Sequence, residues 1–175
     1  MKQLKFLLVL FLTMVIVACG SSSNAGNNKT ERDENATTPA AIDGFEKYEN
    51  AEMSFVYPSS MKITTENFGF NAANADGSCK LSVTYNAGGP TLDQMEQTQK
   101  NYEGMLIAQG EKIESSELKD NNMIIRSTNE GRVKLSFIVK GEGTKCLSSQ
   151  LNYPADSASV YDSYLEIIIN SMGIK

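Results

Sequence analysis

The chain has 175 residues, a formal net charge of −5, three cysteines, and neither histidine nor tryptophan. Without histidine there is no imidazole for a catalytic triad, a zinc site or a pH switch near neutrality. The acidic balance argues against a nucleic-acid binder, which needs a basic patch, and the length suits one domain with appendages.

Lys2 and Lys5 precede Phe6–Val17, which is apolar throughout except for Thr13. Such a run fits a signal-peptide core and falls short of the roughly 20 residues a spanning helix needs. It ends in Ile16-Val17-Ala18-Cys19-Gly20, which resembles a bacterial lipobox. The resemblance implies that the Cys19 thiol carries diacylglycerol and that cleavage after Ala18 frees its amine for further acylation. A thiol suits this chemistry because it is the strongest nucleophile available near neutral pH. The competing readings are ordinary secretory cleavage and an uncleaved anchor. Residues 1–18 are thus expected to be a lipoprotein signal peptide, with the membrane reached through lipid on Cys19. Two acyl chains hold stably where one is marginal. Gly20 is not the aspartate that retains many enteric lipoproteins at the inner membrane, which favours the outer membrane if the cell has one.

Residues 19–42 follow as a spacer rich in Ser, Asn, Gly, Thr and Ala, with no aromatic residue. Such a segment buries too little apolar surface to offset its ordering entropy, so a flexible tether is expected.

Residues 43–175 are expected to form one domain. Met53, Phe55 and Tyr57 alternate in a strand that Pro58 ends. A second strand is expected over Met61–Phe70, broken near Glu66, then a loop over Asn71–Ser78. Cys79, Leu81, Val83 and Tyr85 alternate with polar residues in a third strand. After Gly88-Gly89-Pro90, Thr91 and Gln94 match a capping box, and Leu92, Met95, Tyr102, Met105 and Leu106 recur at helical spacing up to Gly110. Glu111–Lys119 reads as a polar strand near an edge. Met123–Ser127 and Arg132–Lys140 flank a turn at Thr128–Gly131, and Lys145–Tyr153 is a further strand. Ile138, out of phase with Val133, Leu135, Phe137 and Val139, predicts cover on both sheet faces. A last helix begins near Asp156, with Tyr161, Tyr164, Leu165, Ile168 and Met172 as its apolar stripe and Gly173 as its stop.

This element order, together with Met53-Ser54-Phe55-Val56-Tyr57-Pro58, resembles the PsbP-like family. The resemblance implies an α+β fold: an α/β/α sandwich with a mainly antiparallel sheet and a helix on each face. Photosystem extrinsic subunits, a Ran-binding nuclear import factor and many small bacterial lipoproteins share it, so it implies a fold more than a function.

Cys79 and Cys146 remain in the mature domain. An even pair in an exported chain is a disulfide candidate, worth on the order of 4 kcal/mol across so long a loop. The competing reading is two buried free thiols. Tyr85, Tyr102, Tyr161 and Tyr164 are expected on inward faces, whereas Tyr48, Tyr57 and Tyr153 lie near strand ends and form a candidate binding surface. Glu111, Glu114 and Glu117 read as a solvated strand face rather than a catalytic acid pair. Gly141–Lys145 reads as a hairpin turn rather than a phosphate loop. No catalytic residue, cofactor or metal ligand stands out. The expectation is a binding or assembly module in the cell envelope, with an envelope protein or a small ligand as partner. A carboxylate-dependent hydrolase and a passive envelope protein are the alternatives.

Overall fold

The computed structural model describes residues 42–65 and 69–175. The expected signal peptide, Cys19 and the tether up to residue 41 lie outside the described residues.

Among the described residues, ten strands and two α-helices follow the expected order, with additions. Strands β1 (Phe45–Glu49), β2 (Met53–Pro58), β3 (Lys62–Thr65), β4 (Phe70–Ala73) and β5 (Lys80–Asn86) come first. Helix α1 (Met95–Ala108) follows a short 3-10 turn. Strands β6 (Lys112–Lys119), β7 (Asn122–Asn129), β8 (Arg132–Lys140) and β9 (Cys146–Pro154) then form a meander, followed by helix α2 (Ala158–Ser171) and the short β10 (Gly173–Ile174). Seven strands form one sheet in the order β3-β4-β5-β9-β8-β7-β6, and β1-β2-β10 form a second. Every pairing is antiparallel.

The two faces of the large sheet are covered differently. On one, Met53, Phe55 and Tyr57 of β2 and Ile168 and Ile169 of α2 close over Leu81, Val83, Leu135, Phe137, Leu147, Leu151 and Tyr153. Phe70 is fully buried there, with Tyr48, Phe55 and Tyr57 rings within 4.9 Å of it or nearly so, at 4.8, 4.9 and 4.9 Å. The Ser171 hydroxyl fastens α2 to β2, accepting from Val56 N–H at 2.9 Å while donating to the Ile168 carbonyl at 2.7 Å. On the other face α1 brings Met95 and Leu106 onto Met123, Ile125, Ile138 and Cys146. The sandwich is therefore real, and one of its outer layers is shared between a helix and a small sheet. The burial of Ile138 at 5 % exposure bears out the two-sided cover expected of β8.

Local signals explain most ends. At the start of the α1 segment, Thr91 N–H donates to Gln94 Oε1 at 3.0 Å, the side-chain reach expected of the capping box. Gly110 adopts φ +82°, and the N–H groups of Gly110 and Glu111 return to the Ile107 and Leu106 carbonyls. The turn between β7 and β8 is tighter than expected. Asn129 stays in the ladder, opposite Arg132, and Glu130 and Gly131 take the positive φ values of a two-residue hairpin. Asp120 and Asn121 do the same between β6 and β7.

Three strands differ from expectation. β4 occupies Phe70–Ala73, where Asn and Ala composition suggested loop; Phe70 and Ala72 alternate inward and hold it in the ladder. β1 escaped notice because only Phe45 and Tyr48 are half-buried in it. Gly173 stops α2 and also opens β10, which pairs with β2.

Candidate functional site

The expected disulfide is corrected by register. Both cysteines are buried free thiols. Cys79 immediately precedes Lys80, which pairs with Asn152, whereas Cys146 pairs with Asn86 at the other end of the same two strands. Seven strand positions put them ~23 Å apart along the strand direction, against the ~4.4–6.8 Å a disulfide allows between Cα atoms. They also belong to the cores on opposite faces of the sheet. Burial pushes the Cys79 thiol up to about 11.

The tyrosine surface is corrected as well. Tyr57 and Tyr153 are 5 % and 0 % exposed, and Tyr48 packs against Phe55 and Phe70. The tyrosines expected inside, Tyr85, Tyr102, Tyr161 and Tyr164, are only half-buried, as Tyr48 is. Strand parity carried the right signal: Tyr57 shares its side with Phe55, and Tyr153 shares its side with Leu151.

The acidic series of β6 is divided between faces. Glu111 is paired with Lys134 and accepts from the Ser127 hydroxyl at 3.1 Å on the α1 side; its side chain is only 6 % exposed. Glu114 pairs with Arg126 at 2.9 Å on the α2 side. There Arg126 Nη1 also donates to Asp162 at 2.5 Å and to the Tyr153 hydroxyl at 3.2 Å, and that hydroxyl donates to Asp162. Burial, followed by the Asp162 carboxylate, pushes the Tyr153 phenol far above its ordinary value. Glu111 was expected in solvent and is not. With Glu111 and Glu114 on opposite sides of the sheet, they do not form a catalytic acid pair. Among the described residues, no group of three His, Cys, Asp or Glu could hold a metal ion.

Part of the large sheet is uncovered on the α1 side. Helix α1 lies over β6 and β7 and reaches β9 at Cys146 and Gln150, and the α1-side face of β3, β4, β5 and the Asn152 end of β9 stays open. A hollow of about 600 Å³ sits there, with Thr64, Asn71, Lys80, Ser82, Gln150 and Asn152 among its walls and Arg132 at one end. Register builds this floor from two rows of cross-strand neighbours. One row runs Asn71–Ser82–Gln150–Ser136 across β4, β5, β9 and β8. The next runs Lys62–Ala73–Lys80–Asn152–Lys134 across β3 to β8.

Several of these groups have no partner among the described residues. The side chains of Asn71, Lys80 and Ser82 make no hydrogen bond there. Gln150 donates through Nε2 to the Tyr102 hydroxyl at 3.2 Å, leaving its Oε1 open. Arg132 is fixed by Nε to Asn152 Oδ1 at 2.6 Å and by Nη2 to the Ser78 carbonyl at 2.6 Å, which leaves Nη1 and the Asn152 amide N–H₂ unused. Half-buried polar groups are normally satisfied by water or a ligand. Sequence reading missed this face, because on each strand alone its residues look like an ordinary solvent side.

Comparison with known proteins yields structural likeness alone. No protein-family model matches the chain, and no curated protein matches it in sequence. Among solved structures, cyanobacterial PsbP from Synechocystis aligns with a TM-score of 0.55 at 14 % identity, over 79 % of this chain and 96 % of its own. The Ran-binding protein Mog1p of Saccharomyces cerevisiae aligns with a TM-score of 0.53 at 11 % identity, over 74 % of this chain and 95 % of its own. The fold is that of PsbP and Mog1p, an α+β architecture with antiparallel sheets and two helices, as the sequence resemblance implied.

Proposed function

We propose that the chain is a lipid-anchored binding protein of the cell envelope, with no catalytic step of its own. Lipid on Cys19 holds it at the membrane, residues 19–42 act as the leash, and the open half of the large sheet receives a hydrophilic ligand. One observation carries the binding role: hydrogen-bonding groups from β3, β4, β5 and β9 line one hollow, and Asn71, Lys80 and Ser82 among them have no side-chain partner among the described residues. That Mog1p, a Ran-binding protein, shares the fold supports the choice of a binding role. The separation of Glu111 from Glu114 weighs against the hydrolase alternative.

Two measurements test the reading. Cys19→Ala should move the protein from the membrane to the soluble fraction; unchanged fractionation refutes the anchor. Hydrogen exchange on the full chain, with and without soluble envelope extract, should show protection along β5 and β9. Protection confined to the α2 side refutes the binding face.

A further inference from the structure

Resting on that binding face, we propose that its ligand is a small polyhydroxylated anion, a sugar acid or sugar phosphate. The charge argument comes first. The chain is acidic overall at −5, yet the walls of the hollow include Lys80 and Arg132 and no carboxylate. Lys62 extends the same cross-strand row on one side and Lys134 on the other. Among the described residues, Lys134 is the one of these cations paired with a carboxylate, Glu111.

The nearby acids lie outside the walls of the hollow. Asp76 is turned to its own loop, where it accepts from Ser78 N–H at 2.9 Å. Glu130 and Glu111 line a smaller neighbouring hollow that shares Arg132 and Asn152 with this one, and Glu111 there is already paired with Lys134. The concave floor therefore presents two cations to a ligand, with Arg132 pre-positioned by Ser78 and Asn152 so that its free Nη1 loses little entropy on binding.

The remaining walls set the second half of the ligand's chemistry. Asn71, Ser82, Gln150, Asn152 and Thr64 supply both donors and acceptors, which match hydroxyl groups. No aromatic ring lines the hollow, so it offers no stacking platform for a nucleobase. A volume of about 600 Å³ suits a mono- or disaccharide-sized molecule within the usual range for small-ligand sites.

The test uses the full chain as a Cys19→Ala variant, titrated with D-glucuronate, glucose 6-phosphate and glucose and followed by amide chemical shifts. The expected result is shifts at Ser82, Gln150 and Asn152 with both anions, and at least tenfold weaker binding of glucose. Binding of the acid and the phosphate separately identifies which anionic group is preferred. Lys80→Met should weaken the anions fivefold or more, and raising salt should weaken them further. Lys80 is exposed and unbonded, so the variant keeps its fold; Lys119→Met on the distant edge should bind normally. Glucose binding as tightly as the anions at this face overturns the charge proposal and leaves the binding face standing. Shifts confined to the α2 side overturn both. Absence of shifts with either anion also overturns the proposal, as does unchanged affinity in Lys80→Met.

Discussion

Asp162 should matter more for the hydroxyl it serves than for the charge it neutralises. In Asp162→Ala, the Tyr153 hydroxyl, on a side chain with 0 % exposure, loses its only carboxylate acceptor. A buried donor left without a partner costs about 1–3 kcal/mol. The lost attraction to Arg126 adds little, because Asp162 is 43 % exposed and screened ion pairs give ~0–1 kcal/mol. The expected loss is about 2 kcal/mol in urea unfolding of the Cys19→Ala chain. Glu114→Ala removes the other partner of Arg126, at 36 % exposure, and should cost about 0.5 kcal/mol. In a Tyr153→Phe background the hydroxyl is already gone, so Asp162→Ala should lose about 1 kcal/mol less than it does alone. Equal costs for Asp162→Ala and Glu114→Ala, or coupling to Tyr153 below about 0.3 kcal/mol, would refute the argument.

Cys79 and Cys146 should resist alkylation in the folded Cys19→Ala chain and should both react in denaturant without reductant; a mass that rises only after reduction would contradict the register argument. The Glu49 carboxyl is lowered to about 2 by hydrogen bonds and charge from Lys175 and Lys47. Its folded value lies below its ordinary one, so its contribution is present above about pH 4.5 and fades as pH falls toward 2. Lys175→Met should flatten acid unfolding across that interval, by a small amount that high salt also removes. Asn71→Thr should raise stability by about 0.5 kcal/mol, since Thr suits a strand better than Asn. The same change should weaken the anionic probes; unchanged binding would remove Asn71 from the site.

Periodicity made much of the fold legible, and its limits were physical. β2, β5, β8 and β9 each bury one face most deeply, so their alternation is strong. β1 has no fully buried residue and β10 has two residues, too little for any period. The cysteine error came from counting thiols without strand direction: both begin strands, and antiparallel neighbours put their starts at opposite ends. The tyrosine error came from weighing position near a strand end above parity. Glu111 looked solvated because its partners, Ser127 and Lys134, lie on two other strands.

The open face was illegible for a deeper reason. Lys80, Ser82, Gln150 and Asn152 each sit at a non-core position of a strand that reads as half-buried, which an antiparallel sheet permits. Only register turns them into neighbours, and the placement of α1 over β6 and β7 leaves them open apart from the bond of Gln150 to Tyr102. Stability alone gives no reason for this floor. Asn is among the poorer strand formers, yet Asn71 and Asn152 occupy strands with neighbours on both sides. Among the described residues, the same region leaves Arg132 Nη1, the Lys80 ammonium and the Asn152 side-chain N–H₂ without partners, while the opposite face packs aromatic rings at 4.8–4.9 Å. One face of the sheet is thus closed by packing, and part of the other is a polar hollow lined from β3, β4, β5 and β9.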